Sequence, residues 1–265
     1  MCRFLAYSGT PVFLDSLLIR PRSSLISQAL AAREAKTVVN GDGCGVGWYG
    51  ERPEPGLYRG ILPAWSDANL ASLCTQIRAR LFLAHVRSAT SGEVSTANCH
   101  PFAAGRHLFM HNGQIGGYER LRRRVDALIP DALYPLRKGT SDSEAIFLAA
   151  LGRGLERDPV AAITSTLSEI IAASDDNDGP LRFAAVHTDG DTLYAYRWAS
   201  DGKPPSLYWR AEGDGTVIAS EPCDENAGVW GSVPSGTMLA VGPGRRVTTS
   251  EIVVPAAAAA PQKAA

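Results

Sequence analysis

Short apolar runs punctuated by Gly, Pro and Asp recur along the chain. They predict strands at Phe4–Tyr7, Val46–Tyr49, Leu57–Arg59, Leu81–Val86, Leu108–His111, Phe183–His187 and Leu193–Trp198. Later strands are predicted at Leu207–Trp209, Val217–Ser220 and Met238–Val241. Arg52–Gly56 and Asp189–Asp191 carry the Pro, Gly and Asp that hairpin turns need. Helical spacing of apolar positions appears in Ala68–Arg80, Tyr118–Leu128, Ser143–Gly152 and Val160–Ala173. Ser66 or Asp67 can cap the first of these, and Ser141-Asp142-Ser143-Glu144 makes a good N-terminus for the third. Strands, then helices, then strands joined by tight turns predict antiparallel sheets covered by helices, an α+β fold rather than a βαβ one.

The loop Ser174–Pro180 is too short to separate two domains, so residues 1–254 read as one domain. Residues 255–265, a proline followed by five alanines and Pro-Gln-Lys-Ala-Ala, read as a flexible Ala/Pro-rich tail.

Composition narrows the function. The 265 residues are 45% hydrophobic, enough for one sizeable core. With 26 basic and 27 acidic side chains there is no basic field to hold nucleic acid, and Arg120 with Arg122–Arg124 reads as a solvated helix face. Five widely spaced cysteines without a CxxC pair argue against a disulfide framework and a zinc ribbon. Neither a signal peptide nor an apolar run of ~20 residues is present, which predicts a cytoplasmic protein that avoids membranes.

Four segments carry candidate chemistry. Removal of Met1 would leave Cys2 with a thiol and an α-amine of pKa about 7.7–8.0, a nucleophile bearing its own base; a small core residue is the plainer alternative. Asn40–Trp48 places four glycines in nine residues, suiting a backbone that something approaches closely. Arg87 ends an apolar strand and offers a planar fork, either to a substrate carboxylate or to a structural ion pair. Asn112-Gly113 sets an amide beside a backbone N–H, an oxyanion-hole pair or an ordinary Asn-Gly turn. His85, His100 and His111 match no metal spacing and read as hydrogen-bonded core residues; Asp42 reads as a turn-former, and Cys44, Cys74 and Cys223 as buried fillers.

Taken jointly, Met-Cys-Arg-Phe-Leu, Asn-Gly-Asp-Gly, Ala-His-Val-Arg, Asn-Cys-His-Pro-Phe, Met-His-Asn-Gly and Thr-Ser-Asp-Ser-Glu-Ala follow one another in a specific order. In this the chain, from Cys2 to about Pro222, resembles the class II glutamine amidotransferases, which are N-terminal-nucleophile hydrolases. It is most similar to the stand-alone members that begin Met-Cys-Arg: the amidotransferase-like subunit of the fungal glutathione-degradation complex and the γ-glutamyl hydrolase of ergothioneine biosynthesis.

The resemblance implies a four-layer αββα sandwich and hydrolysis of a γ-glutamyl amide through a thioester on Cys2. It implies Asn112 and Gly113 as oxyanion donors, Arg87 and Thr90 at the substrate α-carboxylate and Asp142 at its α-ammonium. No metal or organic cofactor is expected. The chain departs from the family pattern at Ser88 and Ser91, where an aromatic residue and a histidine are usual, and at Arg3, where larger members carry a small residue. Alternatives are a glutaminase subunit feeding ammonia to a separate synthase or docking on a peptidase subunit, and a non-catalytic γ-glutamyl-binding module.

Overall fold

The computed structural model describes residues 2–34, 37–89, 93–175, 177–224 and 227–255. Thr90 and the tail beyond Pro255 therefore lie outside the described residues. In chain order the elements are β1 (Arg3–Phe13), α1 (Asp15–Leu18), α2 (Leu25–Leu30), β2 (Cys44–Trp48), β3 (Gly56–Gly60), α3 (Ala68–Gln76) and β4 (Arg78–Val86). The middle of the chain forms β5 (Phe102–Ala104), β6 (His107–Gln114), α4 (Tyr118–Asp126), α5 (Asp142–Gly152) and α6 (Pro159–Ala173). It closes with β7 (Arg182–Thr188), β8 (Leu193–Ala199), β9 (Tyr208–Glu212), β10 (Gly215–Ala219), β11 (Gly231–Ser232), β12 (Thr237–Val241) and β13 (Val247–Glu251).

The strands form two antiparallel sheets. One runs β11-β9-β10-β1-β4-β2-β3 and the other β13-β12-β8-β7-β6-β5. Alternation along each strand divides the apolar residues among three layers of core. Phe4, Ala6, Leu81 and Leu83 of the first sheet meet Leu108, Met110, Val186 and Ala195 of the second. On the outer face of the first sheet, Leu5, Tyr7, Phe82 and Ala84 pack on Leu17, Leu25, Leu70 and Cys74 of α1–α3. On the outer face of the second, Phe109, Phe183 and Tyr196 pack on Leu121, Ile146, Phe147, Ile163 and Leu167 of α4–α6. The order of layers is αββα. Each large side chain buried this way contributes about 1.5–3 kcal/mol.

Both expected hairpins form, β2–β3 across Arg52–Gly56 and β7–β8 across Asp189–Asp191, with Gly190 at φ 93° in the second. The helix expected over Ala68–Arg80 stops at Gln76 instead, and Arg78 begins β4. From Arg78 the chain alternates exposed and buried, Arg78 and Arg80 out and Ala79 and Leu81 in, so the period has already changed to two.

The glycine-rich stretch becomes β2 and the turn before it. A Cβ on Gly45 would stand 2.2 Å from the His100 carbonyl oxygen, and one on Gly47 would stand 2.8 Å from the Leu108 side chain. These two glycines let the second sheet and its approach segment lie close to the first.

Candidate active site

The intersheet alternation of β1 and β4 runs out at Cys2 and Arg87. Phe4 pairs with His85 and Arg3 with Val86, so the residue before β1 sits beside the residues after β4. The backbone N–H of Ser88 points at the Cys2 sulfur at 3.4 Å, and the thiol reaches back to the Ser88 carbonyl at 3.5 Å. Cys2 is half-buried, whereas Cys44, Cys74, Cys99 and Cys223 are buried. Burial pushes Cys44, Cys74 and Cys223 each up to about 12, which makes them inert fillers as expected. Burial also raises the Cys2 thiol, opposed by the Ser88 N–H and by the positive charges of Arg87 and Arg3.

Arg87 is buried at 4% exposure, and its Nη1 has no hydrogen-bond partner among the described residues. Among the described residues no carboxylate forms the structural ion pair allowed for it. Its backbone is fixed instead: its N–H donates to the Gly43 carbonyl at 2.8 Å and its carbonyl accepts from Asp42 N–H at 3.0 Å. Asp42 then takes the Ala89 N–H at 2.7 Å, so this expected turn-former ties down the loop that presents Arg87 and Ser88.

Asn112-Gly113 is not a turn. Both residues lie inside β6, where Asn112 opposes Ala184 and Gly113 opposes Phe183 of β7. On the other side β5 reaches only His107–Phe109, so no described strand covers that edge at Asn112–Gln114. A Cβ on Gly113 would stand 1.9 Å from the Arg182 carbonyl oxygen and 2.3 Å from His111 Nε2, so only glycine fits. The surroundings fix the orientation of the Asn112 amide: Nδ2 donates to the Cys2 carbonyl at 3.2 Å and Oδ1 accepts from Arg3 Nη2 at 3.2 Å.

Asp142 opens α5, whose N-cap Ser141 accepts from Glu144 N–H at 3.3 Å. Its Oδ2 accepts from Ile115 N–H at 3.0 Å, just past the end of β6, and its Oδ1 accepts from Ser143 Oγ at 3.1 Å. It lines a cavity of about 290 Å³ together with Gln114–Tyr118 and Arg120. A larger cavity, about 730 Å³, runs along α4 past Arg122, Asp126 and Tyr134 and includes none of Cys2, Arg87, Asn112 or Asp142. No bond joins Arg87 to Asp142; the two charges remain separate.

The histidines are core residues. His111 bridges Ser143 Oγ at 2.9 Å and the Arg182 carbonyl at 3.3 Å. His85 and His100 depart from the hydrogen-bonded core residues expected: their rings stack with centroids 4.1 Å apart, and none of their ring nitrogens has a hydrogen-bond partner among the described residues. Desolvation lowers all three, His85 to about 3. Among the described residues no group of three or more His, Cys, Asp or Glu could hold a metal ion, and no described helix is long and apolar enough to cross a membrane.

Residues 20–201 match the family model described as glutamine amidotransferases class-II. A Saccharomyces cerevisiae protein described as "Probable glutamine amidotransferase DUG3" is 32% identical over 91% of this chain and 82% of its own length. The γ-glutamyl-hercynylcysteine sulfoxide hydrolase of Mycolicibacterium smegmatis is 31% identical over 91% of this chain and 96% of its own. A glutamine aminotransferase class-II domain protein from Silicibacter pomeroyi has a similar structure, with TM-score 0.74, 38% identity and coverage of 95% of this chain and 100% of that one. The chain belongs to the class II glutamine amidotransferase family. The phosphoribosylpyrophosphate amidotransferase of B. subtilis, with TM-score 0.67 and 16% identity, shares the N-terminal-nucleophile fold across half of its own length.

Several residues that shape this candidate site carry no signal of that role in the sequence. Asn98, 1% exposed, accepts from Thr140 N–H at 2.6 Å and Ser141 N–H at 3.2 Å, holding the loop in front of Asp142. Glu144 takes the N–H groups of Lys138 at 3.1 Å and Gly139 at 2.7 Å and pairs with Arg137. Ser88 directs its N–H at the Cys2 sulfur. The Asn-Cys-His-Pro-Phe motif pointed at Asn98 without naming a role for it.

Proposed function

We propose that this amidotransferase hydrolyses γ-glutamyl amides through a covalent thioester on Cys2. The observation that carries the reading is Arg87, a buried guanidinium beside the Cys2–Ser88 contact whose Nη1 has no hydrogen-bond partner among the described residues. A buried charge without a partner is costly, and a substrate carboxylate supplies the partner. Asp142, held on Ile115 N–H, is the counterpart for the substrate α-ammonium. With Met1 removed, the α-amine of Cys2 takes the thiol proton through a water. The thiolate then attacks the γ-carbonyl, and Asn112 Nδ2 with the Gly113 N–H receives the developing oxyanion. The leaving group departs with a proton, and water clears the γ-glutamyl thioester. A thiol raised by burial stays protonated at rest, so the step needs that base. The near-complete coverage of a γ-glutamyl-hercynylcysteine sulfoxide hydrolase favours direct hydrolysis over ammonia delivery to a separate synthase.

The test uses glutamine, glutathione and a γ-glutamyl anilide, each with a free and an acetylated α-amine. Wild-type protein should release glutamate from the free forms, acetylation should cost ten- to a hundredfold in kcat/KM, and Cys2→Ala should be inactive although folded. Equal cleavage of the acetylated compounds would sink the γ-glutamyl assignment.

A further inference from the structure

Arg3, next to the nucleophile in sequence, is 0% exposed. Its donors are spread over four recipients. Nε donates to the Cys2 carbonyl at 2.7 Å, and Nη1 donates to the Ser220 carbonyl at 3.2 Å and lies 3.7 Å from Glu221 Oε2. Nη2 reaches Asn112 Oδ1 at 3.2 Å. Glu221, itself 3% exposed, is anchored by the N–H groups of Arg33 at 3.0 Å and Glu34 at 3.0 Å. The guanidinium is thus fixed from behind and presents one edge to the oxyanion-donor candidate.

We infer that Arg3 is a positioning residue that locks the Asn112 amide with its NH2 group toward the reacting carbonyl. The inference rests on the nucleophile and oxyanion roles proposed above for Cys2 and Asn112. An amide NH2 has two donors and its oxygen none. One hydrogen of Asn112 Nδ2 goes to the Cys2 carbonyl, which leaves the second for the oxyanion. Rotating the amide by 180° would set Oδ1 against the Cys2 carbonyl and turn an oxyanion donor into an acceptor. The Cys2 carbonyl selects this orientation from the Nδ2 side, and among the described residues Arg3 Nη2 is the donor that selects it from the Oδ1 side. The same side chain grips the Cys2 carbonyl through Nε, so nucleophile and oxyanion donor are set relative to each other by one planar group. A buried guanidinium is costly to desolvate and adds little net stability even when paired. Positioning gives a reason to keep it where an apolar side chain would pack as well.

The experiment is a double-mutant cycle on the full chain, with kcat and KM measured for wild type, Arg3→Met, Asn112→Ala and the double variant, and with thermal melts to establish folding. Arg3→Met should lower kcat about ten- to a hundredfold with KM within about twofold, and in the Asn112→Ala background it should cost less than about threefold. If Arg3→Met does not fold, Arg3→Lys takes its place: the ammonium keeps Glu221 paired but cannot reach the Cys2 carbonyl, Ser220 and Asn112 together. Equal losses in the two backgrounds, or a rise in KM at constant kcat, overturn the inference. Turnover retained by Cys2→Ala would instead overturn the reading of the site itself.

Discussion

Arg87 and Asp142 are opposite charges at one end of the sandwich that do not neutralise each other. Each is held by backbone: Arg87 through its own N–H and carbonyl on the glycine-rich turn, Asp142 through Ile115 N–H. Side chains placed by backbone contacts keep their charge for something else. A charge-assisted contact of this kind is worth roughly 1.5–3 kcal/mol. Arg87→Lys and Asp142→Asn should therefore each lower kcat/KM for glutamine about ten- to a hundredfold with Tm little changed, as steady-state kinetics and thermal melts would show. Arg87→Lys at wild-type efficiency would mean that no bidentate carboxylate contact exists. Cys2, Arg87 and Asn112 stand out in the sequence as candidates because each sits in a short motif with its own chemistry, whereas Asp142 enters as a candidate through the family resemblance. Asn98, Ser88 and Arg3 do not stand out in this way, because each acts on groups that the fold alone brings near: Asn98 on residues 42 and 43 positions away, and Ser88 on a sulfur 86 positions away.

Helices whose apolar period runs long enough lie where the sequence predicts them. α4, α5 and α6 start within a residue of expectation, and the helix signal at Ser141–Glu144 is a true cap. α1 and α2, of four and six residues, are too short to show a period. Asn112-Gly113 misleads in the other direction, since an Asn-Gly pair that looks like a turn is strand interior, kept open by the Arg182 carbonyl. The element that matters most for the site is α5, because its first residue is Asp142. The approach to α5 hangs on Asn98, whose Nδ2 also donates to Glu93 O at 2.9 Å and Thr140 Oγ1 at 3.0 Å. Asn98→Ala should leave the Thr140 and Ser141 N–H groups unpaired, at about 1–3 kcal/mol each, and let Asp142 drift. The expected outcome is a Tm lower by several degrees together with a raised KM, while Asn98→Asp, which keeps the acceptor, holds KM near wild type. A lower Tm with unchanged KM would assign Asn98 to scaffolding alone.

At the scale of the whole molecule, the two sheets and their helices close over all five histidines of the chain. Desolvation lowers every one of them in the fold: His85 to about 3, His100 and His187 well below their ordinary value, and His107 and His111 in the same direction. In the unfolded chain each titrates near 6.5. Above that value both states hold neutral imidazole and the histidines do not affect stability. As pH falls below about 6.5 the unfolded chain takes up protons that the folded protein refuses. Each histidine then removes up to about 1.4 kcal/mol of stability per pH unit until its folded value is reached, about 3 for His85. Carboxylates with lowered values, such as Glu169 beside Arg153, act further down, because their unfolded counterparts titrate near 4.3. The window between pH 6.5 and 5 therefore belongs to the histidines. Urea titrations at pH 7.5, 6.5, 5.5 and 5.0 should give a stability that is level across the first two and falls by several kcal/mol by the last. A curve that stays flat to pH 5 would mean that the buried imidazoles accept protons within the fold, and that the closure of the sandwich over them is looser than the packing of His85 on His100 requires.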